Sequence, residues 1–158
     1  MPDRHLPRLE RTAVRAILLD PDASVLLLLG RDPADPTGPS WWFTPGGGVD
    51  PGEPPIAALR RECWEEVGYV PGELHGPLAH RRYAFPFDQR WLVQETDYYW
   101  SRVPAFEPRP QQLTDIERRT ILGWRWWRRG ALAASGHTVY PEDLAELVES
   151  ALGGPWDP

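Results

Sequence analysis

Apolar residues gather in two branched-rich runs near the start of the chain, Thr12 to Leu19 and Ser24 to Leu29, with Asp20-Pro21-Asp22-Ala23 between them. Branched side chains favour extended backbone and an Asp/Pro tetrapeptide favours a tight turn, so the pattern predicts an antiparallel hairpin. Residues 31 to 40 hold three prolines and a glycine and read as a surface loop. Trp41 to Thr44 predicts a short strand, which Pro45-Gly46-Gly47-Gly48 stops because Pro lacks a ladder donor and Gly frees the backbone. Pro54-Pro55 then opens a helix over Ile56 to Val67, and Gly68 closes it. Two further strands, Leu78 to Phe85 and Trp91 to Val103, flank a turn at Pro86-Phe87-Asp88-Gln89. Phe106 to Gln112 is a proline-broken loop, Ile121 to Trp127 a strand, Gly130 to Ala134 a helical turn and Pro141 to Leu152 an amphipathic helix. Strand clusters on both sides of one internal helix predict an α/β (α+β) fold, a mixed β-sheet with helices packed on it.

The internal helix carries the candidate chemistry. At about 100° per residue, Ile56, Leu59, Cys63 and Val67 form an apolar stripe, and Glu62, Glu65 and Glu66 fall on the neighbouring face. Like charges at these spacings destabilise a helix by about 0.2–0.5 kcal/mol per pair, and the C-terminal end of the helix dipole also disfavours them. Arg61 can pair with Glu65 at i+4 but cannot serve all three. Two readings stand at this point: a solvated acidic face, or a site for a hard divalent cation such as Mg²⁺, which takes oxygen ligands. Gly46-Gly47-Gly48 would let main chain approach a ligand closely.

Length and charge narrow the options. The 158 residues suit a single domain, with the polar stretch 1–11 expected to be a flexible N-terminal segment. That stretch has no apolar run to act as a leader or span, so a cytoplasmic protein without a membrane partner is expected. Cys63 is the only cysteine, which excludes an intramolecular disulfide and a multi-cysteine zinc site. A net charge of -6 argues against binding long nucleic acid, although a small anionic substrate can be held by local cations. All 17 basic residues are arginine and 19 residues are proline, a compositional drift that cautions against reading function into any one arginine. The nine tryptophans suit the core and its rim.

Spacing decides between the two readings of the acidic face. Gly47 is followed after five residues by Glu53, and Glu53 after seven more by Arg61-Glu62-Cys63-Trp64-Glu65-Glu66-Val67-Gly68-Tyr69. This segment resembles the box of the Nudix hydrolase family, with Cys63 and Tyr69 standing where the family has aliphatic residues. The resemblance implies an α/β/α sandwich around a mixed sheet. It implies Mg²⁺, or Mn²⁺, held by Glu62 and Glu66, with Glu65 in the same cluster and the Gly46 carbonyl completing it. It gives Glu53 the task of holding Arg61 at the junction of loop and helix. The implied reaction is attack of water on phosphorus in a nucleoside diphosphate linked to another group, a small-molecule partner; a homodimer is compatible with this.

The resemblance leaves the general base and the substrate open. A box glutamate is favoured as base; outside the box, Glu117, read as lying in the loop before the Ile121 strand, and Glu95, in mid-strand, are candidates. A proline and a tyrosine at set distances beyond the box mark two substrate groups of the family. Neither is matched, since Pro86 lies 17 residues and Tyr83 14 residues after Tyr69. Trp41, Trp42 and Phe43 are candidates for stacking a base, though strand neighbours alternate faces and one at least belongs to the core. Arg15, Arg81 and Arg82 are candidate phosphate clamps, against the reading of plain surface arginines. His5, His75, His80 and His137 lack metal-like spacing and are assigned no role. Two rivals remain: a non-catalytic nucleotide-sensing module, which usually lacks box glutamates, and an isoprenoid-diphosphate isomerase, which needs a catalytic cysteine that Cys63 on the core stripe does not supply.

Overall fold

The computed structural model describes residues 5–153. In chain order the elements are β1 (Arg8–Leu19), β2 (Val25–Arg31), β3 (Ser40–Phe43), β4 (Gly46–Gly48), α1 (Pro55–Val67), β5 (His75–Phe87), β6 (Arg90–Arg102), α2 (Asp115–Thr120), β7 (Ile121–Trp127), α3 (Arg129–Ser135), β8 (Val139–Tyr140) and α4 (Leu144–Leu152). The first turn forms as its sequence requires, with the Asp20 carboxylate accepting from the N–H groups of Asp22 and Ser24.

Ala16 to Leu19 of β1 and Val25 to Leu29 of β2 are apolar without a break because both faces of the sheet are covered there. Val14, Ala16, Leu18, Leu26 and Leu28 pack with Ala58, Leu59, Cys63 and Val67 of α1. Ile17, Leu19, Val25 and Leu27 point the other way, onto Leu132 of α3 and Leu144, Leu147, Val148 and Ala151 of α4. Two cores on opposite faces of one mixed sheet make the expected α/β/α sandwich.

The sheet forks at β1. One edge of β1 pairs in parallel with β6 over its full length, from Arg8 opposite Trp91 to Leu19 opposite Arg102. The other edge is shared, touching β2 only where Leu19 faces Val25 and pairing with β4 at Ala13 to Arg15. β2 then continues to β3 on one side and β7 on the other. The short strand β4 therefore fills the opening between two diverging halves of the sheet, and α1 follows it after the loop of residues 49–54.

Several expectations are corrected. The strand β1 starts at Arg8, so Arg8 to Arg11 belong to the sheet, drawn in by pairing with Trp91 to Gln94; residues 1–4 of the expected flexible segment lie outside the described residues. The glycine run is itself a strand, since main-chain pairing to β1 needs no side chain. α4 begins at Leu144, three residues after Pro141, and β8 and α2 have no counterpart in the hydrophobic pattern. α2 is only six residues long, but it carries a capping box in which Thr114 and Glu117 satisfy each other's backbone N–H. Among the described residues no helix is long and apolar enough to cross a membrane.

Cys63 sits in the α1 core with no exposed surface, and burial, with Glu66 and Glu62 nearby, pushes its thiol well above the ordinary range. A thiol-disulfide reagent should therefore leave the native protein unmodified and label one thiol per chain once denaturant unfolds it. Rapid labelling of the native state would contradict this placement.

Candidate metal centre and adjoining cavity

Pro54 in extended conformation and Pro55 in the first turn set the start of α1, and Gly68 at φ 74° ends it with its N–H on the Trp64 carbonyl. This phase buries Glu62 and Glu66 beside Leu59 and Cys63, so the carboxylate face and the core stripe overlap. The two carboxylates lie against β4. The Gly46 N–H donates to Glu66 Oε1 at 3.0 Å. A Cβ on Gly47 would stand 2.6 Å from the Glu62 carboxyl carbon. Gly46 has φ 147°, and a side chain there would collide with the Val14 carbonyl and with Arg15 Cα at 2.7 Å.

Arg61 organises the other acidic groups. Its Nε donates to Glu53 Oε2 and its Nη2 to Glu53 Oε1, each at 2.9 Å, a two-pronged pair that draws the Glu53 carboxylate down to about 2. Nη2 also reaches the Gly48 carbonyl at 3.1 Å, while Nη1 bonds Glu62 at 2.9 Å and Glu65 at 3.2 Å. One guanidinium thus ties the glycine strand, Glu53 and two helix carboxylates together, more than the sequence reading allowed it. The hydrogen bonds it donates to Glu53 hold the Arg61 guanidinium above the usual arginine range, with burial opposing them.

Glu66 is the carboxylate that Arg61 does not reach. Burial raises it well above the usual range, opposed by the Arg15 charge and the Gly46 N–H. Burial also raises Glu62, against the Arg61 hydrogen bond. Glu117 comes from α2, where its Oε1 accepts the Thr114 N–H. Glu62, Glu66 and Glu117 each offer one oxygen, all within 4.8 Å of one another. Among the described residues neither Glu66 nor Glu117 has an ion-pair partner. Three crowded oxygen ligands with too little positive charge fit a hard divalent cation.

The predicted site residues are partly brought together. Glu62, Glu66 and Glu117 converge; Glu65 turns to Arg61 instead, and Gly46 engages through its N–H where its carbonyl was expected. Glu117 stands on a helix, not in a loop, because the capping box orders that turn. Glu95 is spent on His80 at 2.6 Å and on Arg82 at 3.4 Å, where these side chains project into solvent from β5 and β6.

A cavity of about 520 Å³ opens next to the carboxylates, with Trp41 and Phe43 of β3 on one side and Tyr83 and Phe85 of β5 on the other. Arg15 and Arg82 line it, as does Arg11, from the stretch expected to be a flexible N-terminal segment. Arg11 feels the charges of Glu62, Glu117 and Glu66, and Arg15 that of Glu66, which sets the cavity and the carboxylates side by side. Two candidates lie elsewhere. Trp42 packs edge-on against Trp127 at 5.1 Å on the α3/α4 face, and Arg81 pairs at 2.5 Å with Asp143, the residue just before α4. The alternation of strand β5 was a usable signal for Tyr83 and Phe85; nothing local to Arg11 pointed to a cavity.

A family model described as NUDIX domain matches residues 9–147. A protein of Psychrobacter cryohalolentis named RNA pyrophosphohydrolase is 53% identical, over 68% of this chain and 69% of its own. Among solved structures, the NUDIX domain of Shewanella oneidensis NrtR complexed with ADP ribose is 19% identical, covering 91% of this chain and 89% of its own at a TM-score of 0.64. A MutT NUDIX hydrolase from Burkholderia pseudomallei is 20% identical, covering 89% and 97% at a TM-score of 0.61. At such identities the last two speak to the fold alone.

Gly47→Ala tests the approach of Glu62 to the strand. The three atoms nearest the added methyl all belong to the movable carboxylate end of Glu62, so the melting temperature should change little. Glu62 must swing away, and Mn²⁺ affinity measured by titration should fall by about 10–100-fold, as for lost orientation of a ligand. Unchanged affinity would show that Glu62 does not need its place against β4.

Proposed function

The chain belongs to the NUDIX family, and on that premise we propose that it is a Mg²⁺-dependent hydrolase that splits the pyrophosphate bond of a nucleoside diphosphate derivative. The observation that carries this reading is the convergence of Glu62, Glu66 and Glu117 beside a cavity walled by aromatic rings and arginines. Glu62, Glu66 and Glu117 would hold the metal, with Mn²⁺ an acceptable substitute. When bound, the metal would lower the pKa of water and neutralise charge on the leaving phosphate.

The chain's own residues divide the remaining work. Gly46 aims Glu66 by its N–H, and Arg61 aims Glu62. Glu53 has no direct chemical part; it fixes Arg61 and so positions Glu62, a role whose loss lowers metal affinity or activity by about 10–100-fold. Glu65, half-buried and held among the described residues by Arg61 alone, is the box carboxylate outside the converging three, and we assign it the proton of the attacking water. Trp41, Phe43, Tyr83 and Phe85 offer stacking faces for a base, worth about 1–3 kcal/mol per base where stacking occurs. A cavity of this size takes one nucleoside.

A second reading has an observation of its own. The Psychrobacter relative is named RNA pyrophosphohydrolase, so the 5′-phosphorylated end of an RNA belongs among the candidate substrates. The net charge of -6 limits that reading to the terminal nucleotides, since a long RNA backbone would be repelled.

The deciding experiment is a panel of nucleoside diphosphate derivatives and a short 5′-triphosphorylated RNA, incubated with Mg²⁺, with both products identified by mass. At least one substrate should be cut at a phosphoanhydride. Glu66→Gln should lower turnover more than about 100-fold, beyond the loss typical of outer-shell residues. In chelator the same variant should melt at a higher temperature than the parent, because a buried carboxylate without a cation has become neutral. Glu65→Gln should retain Mn²⁺ affinity and lose kcat. Tight nucleotide binding with no product under any divalent metal would instead make the chain a sensing module.

A further inference from the structure

Arg11 and Arg15 lie four residues apart on β1, hence on the same face of the strand, and both line the cavity. Arg11 Nε donates to Gln94 Oε1 at 2.6 Å. Gln94 is buried on β6 directly opposite Arg11 in the parallel register, and its Nε2 donates to Thr96 Oγ1 at 3.0 Å, so the amide is fixed with its oxygen toward the arginine. Gln94 is neutral. It aims the guanidinium without neutralising it and leaves both terminal amino groups of Arg11 without a partner among the described residues. Arg15 donates one N–H to the Thr44 carbonyl at 2.8 Å and lies 5.3 Å from the centre of the Phe43 ring. Neither arginine forms an ion pair among the described residues. Arg11 is exposed to solvent where it lines the cavity. The neighbouring Arg15 charge disfavours the charge on Arg11, and Glu62, Glu117 and Glu66 favour it. Two like charges kept together in a partly apolar cavity, one of them aimed by a dedicated amide, are arranged for an anion.

We infer that Arg11 and Arg15 form a phosphate-binding subsite of the cavity, that Gln94 is the positioning residue for Arg11, and that the substrate places there a phosphate other than those on the metal. The inference rests on the cavity being the nucleotide site proposed above. It makes the substrate a compound with at least two phosphates reaching past the carboxylate cluster, and it gives the strand β6 a part in specificity.

Calorimetry of inorganic pyrophosphate binding in chelator, without any divalent metal, tests this apart from hydrolysis. The parent protein should bind, with affinity falling as salt rises. Arg11→Met should weaken binding by about tenfold or more, the scale of a lost charge-assisted pair. Gln94→Glu is the sharper variant, because it keeps Arg11 in place and gives it the carboxylate it lacks. Binding should fall by about tenfold while the melting temperature holds or rises. A merely structural Arg11 would tolerate Gln94→Glu with pyrophosphate affinity unchanged, and that result, or no binding by the parent protein, would overturn the inference. Loss of binding in both variants supports it whichever anhydride the panel identifies, whereas absence of any hydrolysis by the parent would count against the function and not against the subsite.

Discussion

Two glycines set the terms for everything around them. Helix α1 brings Glu62 and Glu66 down onto β4, and the carboxylates fit only because Gly46 and Gly47 present main chain with no side chain between. The requirement is mutual. β4 must be narrow because it fills the fork of the sheet between β1 and β2, with Gly46 against the Val14 carbonyl and Arg15. The same pair of residues therefore closes the sheet on one side and opens a place for carboxylates on the other. A bulkier residue at either position would have to displace a strand or an acid.

Charge follows from this geometry. Glu66 is buried within the fold and has one N–H and the Arg15 charge to stabilise it, while Glu62 shares Arg61 with Glu53 and Glu65. Burying an ion without a partner costs several kcal/mol, so an arrangement of three converging carboxylates is poor as a stability device. Arg61 relieves one end of the cluster and leaves Glu66 and Glu117 uncompensated. The cavity beside it carries the opposite excess, in Arg11 and Arg15. A cation on the acids and an anion on the arginines would resolve both imbalances at once, which is why metal and substrate belong to one account.

Periodicity and punctuation made much of this legible in the chain. The continuous apolar runs of β1 and β2, the Pro54-Pro55 start and the Gly68 stop of α1 are local signals, and they mark the core and the acidic helix. The spacing of Gly47, Glu53, Arg61, Glu62, Glu65 and Glu66 pointed to the family and to a metal site, and the geometry keeps Glu53 on Arg61. What escaped depended on partners distant in sequence. Arg11 reads as part of a polar terminus until Gln94 is brought beside it across the parallel pair. Glu65 and Glu66 are neighbours in sequence but turn to different partners, since a helix rotates them apart. Glu117 was found by type and placed in the wrong element, although Thr114-Asp115-Ile116-Glu117 spells a capping box.

The claim on which the rest stands is that Glu62, Glu66 and Glu117 share one divalent ion. An anomalous difference map from crystals grown with Mn²⁺ addresses it directly. A manganese peak bounded by those three carboxylates, with Arg61 still on Glu53, is the predicted result. Manganese bound away from Glu66 and Glu117, or no peak at a concentration that supports turnover, would contradict it.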